Sequence, residues 1–288
     1  MKALILGSGG QVGRALTATA PAGAGLILAG RGQCDIGDEA AVAAFIREAR
    51  PQVVINAAAY TAVDLAEREQ DRAHSINAGA PGWIASACAL FGARLVHLST
   101  DFVFNGAQGR PYRPDDRPSP LNVYGRTKWE GEERVLAAGA DALIVRTGWV
   151  YGAHGRNFLR SMLDAMMQGR RLTIVDDQIG TPTHAEGLAA ALWRFAESGA
   201  TGIHHYSDAG VASWYDFAVA IGEEAEALGL VGRGREIVPI STGEYPTPAR
   251  RPHFSVLDKT SSWALLGKPA PHWRDNVRAC LRGMACSG

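Results

Sequence analysis

Short apolar runs alternate with longer amphipathic stretches along the first half of the chain. Residues 3–6, 26–29, 53–56, 95–99 and 143–146 are compact, β-rich runs bounded by Gly, Asn, Ser or Thr, and they predict strands. Between them, residues 11–19, 39–49, 63–69, 78–91 and 123–138 carry apolar positions at helical spacing and predict helices. Strand and helix in strict alternation imply an α/β fold, a doubly wound parallel sheet with each helix crossing back over one face. Past Gly148 the punctuation thickens, with clusters such as Gly180-Thr-Pro-Thr and Tyr245-Pro-Thr-Pro separating helices predicted at 157–168, 184–196, 214–228 and 274–284. The expected organisation is a dinucleotide-binding domain over 1–147 and a smaller mixed substrate-binding lobe over 148–288, partly interleaved with the sheet. No internal repeat or low-complexity segment interrupts this pattern.

Composition narrows the partners. Lys plus Arg and Asp plus Glu both number 29, so the formal charge is zero and no basic stripe points to nucleic acid or an anionic membrane. A small-molecule partner is favoured. Cys34, Cys88, Cys280 and Cys286 show neither a C-x-x-C pair nor the spacing of a metal or disulfide framework, and read as reduced structural thiols. The longest uncharged run, 75–93, is interrupted by Asn77, Pro81 and several glycines, which suits a buried helix better than a membrane span. The first strand starts at once and leaves no room for a signal peptide, so a cytoplasmic protein is expected.

Candidate chemistry gathers just beyond the strand ends, where ligands bind in such sheets. The first strand runs into Gly7, Gly10 and Gly13, a G-x-x-G-x-x-G cluster. With Val12 in place of a glycine, this is not the ordinary G-x-G-x-x-G frame of nicotinamide dehydrogenases. Such a cluster is either a plain glycine turn or a pyrophosphate cradle at a helix N-terminus; the strand-first context favours the cradle. After the second strand, Arg31 is placed either to hold the 2′-phosphate of NADP or to sit in solvent. Asp35 and Ile36 either flank the adenine or, for Asp35, cap the next helix. Thr100, after the fourth strand, is either a backbone-bonding turn residue or a hydroxyl for a substrate oxygen. Tyr124 and Lys128, four apart on a predicted helix, turn toward one spot, where an ammonium favours the phenolate and eases a phenol with a reference pKa of about 10 toward proton donation. Arg250-Arg251-Pro is either a solvated turn or a site where Arg251 binds a nucleotide diphosphate.

Taken together, Gly7-x-x-Gly10-x-x-Gly13, Asn56-Ala-Ala-Ala-Tyr-Thr, Thr100 and Tyr124-x-x-x-Lys128 resemble the extended short-chain dehydrogenase/reductase family. Longer blocks, Ser99-Thr-Asp-Phe-Val-Phe-Asn-Gly, Arg146-Thr-Gly-Trp-Val-Tyr-Gly, Asn157-Phe and Asp177-Gln-Ile-Gly-Thr-Pro-Thr, are similar to the branch that reduces dTDP-4-dehydro-L-rhamnose, and blocks continue to Arg251-Pro. The resemblance implies a bacterial enzyme that reduces the 4-keto group of this nucleotide sugar with NADPH or NADH. It implies Tyr124 as proton donor, Lys128 and Thr100 completing a triad, and Asn77 in the proton relay. Gly10, Gln11 and Val12 would meet the pyrophosphate, and Ala59, Tyr60 and Thr61 would line the far side of the cofactor. Thr100, Asp101 and Trp149 would contact the sugar nucleotide, core packing being the alternative for Trp149. Nucleotide-sugar dehydratases carry Glu where this chain has Phe102, so dehydration is disfavoured; the reductases often have Tyr there. Some relatives bind magnesium at a dimer contact, but no acidic cluster in this chain matches it, leaving magnesium and a homodimer open. Two other readings stand beside this one. One is reduction of a different nucleotide-linked keto sugar. The other is a non-catalytic dinucleotide-binding subunit like the β subunit of methionine adenosyltransferase, which is similar to these reductases.

Overall fold

The computed structural model describes residues 1–234 and 236–287. Its first five strands follow the predicted pattern: β1 (Lys2–Leu6), β2 (Gly25–Ala29), β3 (Val53–Asn56), β4 (Arg94–Thr100) and β5 (Ala142–Thr147). They pair in parallel in the order β2-β1-β3-β4-β5, with Leu4 set between Ile27 and Val54 and Val96 opposite Leu143. All of β3 and β5 is buried, because helices cover both faces and no strand face is left to alternate toward water. The chain steps outward from β1 to β2 and then crosses back to β3. A crevice opens at that switch point, beyond the ends of β1 and β3.

Helices α1 (Gln11–Ala18) and α2 (Glu39–Ala49) lie where predicted. Asp38 caps α2 by accepting from the amides of Ala40 and Ala41, which removes Asp35 from that role. The helix predicted over 63–69 is shorter, α3 (Val63–Ala66), and a further short helix not expected from the sequence follows it, α4 (Gln70–His74). A single π-turn at Ser75–Gly79 leads from α4 into α5 (Ala80–Phe91). Within that turn, the side-chain amide of Asn77 accepts from the Tyr60 N–H (2.8 Å) and donates to the Tyr60 carbonyl (3.0 Å). These two bonds tie the irregular turn to the segment after β3.

After α6 (Val123–Ala137) and β5, the chain makes β6 (Val150–Tyr151), α7 (Phe158–Met167), β7 (Leu172–Val175), β8 (Ile179–Gly180) and β9 (Thr183–His184). It then returns to the main sheet through α8 (Ala185–Glu197) and β10 (Gly202–His205), a sixth parallel strand beside β5. Helix α8 packs on α1, where the Trp193 indole donates to the Leu16 carbonyl at 3.1 Å. The remaining elements are β11 (Ala212–Ser213), α9 (Trp214–Ala227), β12 (Ile237–Ile240), α10 (Thr260–Leu266) and α11 (Trp273–Ser287). With α7, the elements β11, β12, α9 and α11 enclose a second core around Tyr151, Phe217, Trp273 and Leu281, while α10 packs on α8 and β10. Among the described residues, no helix is long and apolar enough to cross a membrane.

Helix α6 is bolted to the strand ends by charge. Glu132 accepts two bonds from Arg146 of β5, at 2.8 and 2.6 Å, and both side chains are 1% exposed. Arg146 also lies over the Phe104 ring, 5.0 Å from its centroid. Truncating one partner strands the other charge without water. Glu132→Ala is therefore expected to lower unfolding stability by about 3–5 kcal/mol in urea titration; a loss below about 1 kcal/mol would contradict this role for the pair.

Candidate active site

The crevice beyond β1 and β3 is a cleft of about 400 Å³. Its floor depends on two glycines. Gly7 has φ +80°, and a Cβ there would lie 2.7 Å from the Ala58 amide nitrogen; a Cβ on Gly13 would lie 2.2 Å from the Gly7 carbonyl oxygen. The turn thus packs directly on the end of β3, and α1 packs on the turn. Gly10, at the N-cap of α1, offers no side-chain acceptor, so the first amides of the helix remain free for an anion.

Gly7, Gly10, Gln11 and Val12 line one wall of the cleft, and Arg31, Asp35 and Ile36 line the end beyond β2. Ala59 and Thr61 face them. Gly13 and Tyr60 do not border the cleft. Gly13 is packing between helix and turn, while the Tyr60 hydroxyl donates to Glu69 at 3.0 Å and its ring lies under Arg72. The Asp35 carboxylate accepts from the Gly37 amide at 3.0 Å.

Tyr124 and Lys128 line the other end, on the first turns of α6. That helix starts at Asn122, whose side chain accepts from the Gly125 amide (2.8 Å) and donates to the Arg250 carbonyl (2.7 Å), fastening the C-terminal segment to the site. The Tyr124 ring meets Phe102 edge-on, at 5.7 Å between centroids. Thr100, whose hydroxyl acts to lower the pKa of the nearby phenol, donates to Asp101 Oδ1 at 3.1 Å and accepts from the Phe102 amide. Lys128 is 2% exposed, and its ammonium donates to the Leu98 carbonyl at 2.6 Å.

One expectation is corrected here. The sequence predicts that Lys128 eases the phenol toward neutral pKa. Burial instead pushes Tyr124 up to about 12, with the Thr100 hydroxyl opposing it and Asp101 adding to it. Burial likewise pushes Lys128 down to about 8, against the pull of Glu132. Desolvation outweighs the helix spacing: it is the largest influence on both groups.

A second, small cavity of about 80 Å³ opens beside Phe102 and is bordered by Trp149, Trp214, Gln178, Arg251 and Ser255. Trp149 adopts a left-handed backbone, φ +52°, and stacks on Trp214 at 3.5 Å with the rings 4° from parallel. The guanidinium fork that the sequence offers to a diphosphate is filled by Asp64, which accepts from Arg251 at 3.0 and 2.8 Å. Asn77 is buried beneath the site, its amide on Tyr60 and Thr127. The sequence reading missed Ser99, Thr147, Gln178, Trp214 and Ser255. For Trp214 a signal existed: the Ser213-x-x-Asp216 capping box fixes it as the first residue of α9, over Trp149.

A family model described as the RmlD substrate binding domain matches residues 1–286. The chain belongs to this family. The dTDP-4-dehydrorhamnose reductase of Mycolicibacterium smegmatis is 44% identical over 281 residues, 96% of this chain and 83% of that one. The spore coat polysaccharide biosynthesis protein SpsK of Bacillus subtilis is 38% identical, covering 99% of each chain. Among solved structures, the dTDP-4-dehydrorhamnose reductase of Bacillus anthracis, in complex with NADP, superposes with a TM-score of 0.93 at 32% identity over 98% of this chain and 99% of that one. The UDP-glucose 4-epimerase of Thermus thermophilus, 19% identical with a TM-score of 0.82 over 99% of each chain, shares the Rossmann-like fold.

In this RmlD-family chain, no group of three or more His, Cys, Asp or Glu among the described residues could hold a metal ion. Asp101, beside the phenol, is also shifted. It is 3% exposed, and burial raises its carboxyl to about 6, against bonds from Ser255 and Thr100. A carboxyl raised in the folded state binds its proton more tightly there than in the unfolded chain, so its contribution to stability falls as pH rises from about 4 to 6. Asn at this position cannot ionise. Relative to wild type, Asp101→Asn should gain roughly 2 kcal/mol of stability between about pH 4 and pH 7, read by urea denaturation; a difference that does not change with pH would contradict the raised pKa.

Proposed function

We propose that this chain reduces the 4-keto group of dTDP-4-dehydro-L-rhamnose to give dTDP-L-rhamnose, using NADPH or NADH. The observation that carries the reading is the meeting of Tyr124, Lys128 and Thr100 at the end of a glycine-floored dinucleotide cleft, in a chain whose full-length relatives are named for this reaction. The residues present fit the cofactor: a turn with no room for side chains, free helix amides, and Arg31 at the adenosine end, placed for a 2′-phosphate. Bound nicotinamide supplies a hydride to the carbonyl carbon.

The chain supplies the proton and the setting. With its pKa pushed up to about 12, the phenol of Tyr124 is fully protonated at neutral pH, so a proton stands ready for the carbonyl oxygen as negative charge develops there. Asp101 accepts from the Thr100 hydroxyl and the Phe102 ring meets the Tyr124 ring edge-on, so both hydroxyl-bearing side chains approach the carbonyl from set directions. Lys128, one helical turn from Tyr124 and lining the same cleft, is held in place by its bond to the Leu98 carbonyl. Residues past Gly148 form the sugar-nucleotide side, with the Trp149 indole as a wall beside Asp101 and Phe102.

The test is NADPH absorbance in the presence of dTDP-4-dehydro-L-rhamnose, with the product sugar identified. Wild type is expected to consume one cofactor per dTDP-L-rhamnose formed. Tyr124→Phe should bind NADPH with unchanged affinity and lose at least about a hundredfold in kcat. Near-normal turnover by this variant would remove Tyr124 from the chemistry, and no turnover by wild type would remove the proposed activity.

A further inference from the structure

Two buried hydroxyls at the reacting end of the cleft have no hydrogen-bond partner in the protein. Ser99 Oγ, near the end of β4, and Thr147 Oγ1, at the end of β5, are each orphaned in residues that are 5% and 6% exposed. Of the buried unpartnered side-chain atoms among the described residues, only these two belong to residues lining the cleft. The others include Arg94 Nε, Asp208 Oδ1 and the His205 ring, none of which borders it.

Position sharpens the reading. Thr147 pairs with Thr100 across β4 and β5, and Ser99 pairs with Arg146, one residue earlier. Side chains alternate along a strand, so the two hydroxyls flank the strand ends from opposite faces of the sheet. Both line the cleft together with Leu98, whose carbonyl accepts from the Lys128 ammonium, and lie at the ends of β4 and β5, whereas Arg31 and Asp35 follow β2 on the other side of β1 and β3. A buried hydroxyl without a partner costs stability, and such groups in folded proteins await a ligand or an ordered water.

We infer that Ser99 and Thr147 bind the nicotinamide riboside half of the dinucleotide. The carboxamide and the ribose hydroxyls of that half are donors and acceptors of the kind two hydroxyls match. Held at two points, the nicotinamide ring presents one face to the sugar pocket, so these are positioning residues for the reaction. The inference rests on the dinucleotide reading above and adds which side chains orient its reactive end.

The experiment compares two ligands by calorimetric titration of wild type, Ser99→Ala and Thr147→Val. NADPH carries the nicotinamide riboside, and adenosine 2′,5′-bisphosphate lacks it. Each substitution is expected to weaken NADPH roughly tenfold and to leave adenosine 2′,5′-bisphosphate within about twofold. Unchanged NADPH affinity in both variants would overturn the inference. Equal weakening of both ligands would also overturn it, by placing the effect in the fold or the adenosine end. Wild type that bound neither ligand would end the dinucleotide reading itself, and this inference with it.

Discussion

Helix α6 meets the ends of β4 and β5 through two buried contacts, the Lys128 ammonium on the Leu98 carbonyl and the Glu132 carboxylate on Arg146. Lys128 and Glu132 are one turn apart, so both contacts draw the same face of the helix onto the sheet. Tyr124 lies one turn earlier on that face. Its oxygen therefore has a fixed place relative to the strand ends and to Thr100. The charged pair contributes geometry rather than net stability, since burying it exacts a desolvation cost that its mutual attraction roughly offsets. What it secures is that the phenol and the strand ends move together.

The other half of the site follows from strand order. Because β1 leads outward to β2 before the chain crosses to β3, the turns after β1 and β3 part, and a crevice forms without any loop insertion. Gly7 lets the first turn rest on Ala58, and Gly13 lets α1 rest on that turn. The cleft consequently borders both the start of α1 and the end of β4, with Tyr124 and Lys128 of α6 in its lining. Trp149 and Trp214 border the smaller cavity beside Phe102, where the capping box at Ser213 seats Trp214 on Trp149.

The local pattern was enough for the parallel sheet, since buried strands such as Val53–Asn56 and amphipathic helices such as Glu39–Ala49 announce themselves by periodicity. It was not enough for β10, whose Gly-Ile-His-His has no apolar run and is a strand only because β5 offers it an edge. Nor could periodicity show the π-turn at Ser75–Gly79, where Asn77 bonds to the backbone of Tyr60, a contact across 17 residues. At the site, glycine spacing and the Tyr124, Lys128 pair are visible in sequence because they are local. The desolvation that sets the pKa of Tyr124, the Asp64 fork on Arg251 and the orphaned hydroxyls of Ser99 and Thr147 arise from packing between distant segments, and spacing carries no trace of them.

The central claim is that hydride and proton reach one carbonyl from different sources, the cofactor and a protein phenol in exchange with solvent. The most direct measurement is isotopic, using NADPH deuterated at the transferable C4 position in ordinary water, with the sugar product analysed by NMR and mass spectrometry. One deuterium at C4 of the sugar, and none when unlabelled NADPH is used in heavy water, is the predicted result. Deuterium entering C4 from solvent, or product formed without cofactor oxidation, would contradict it.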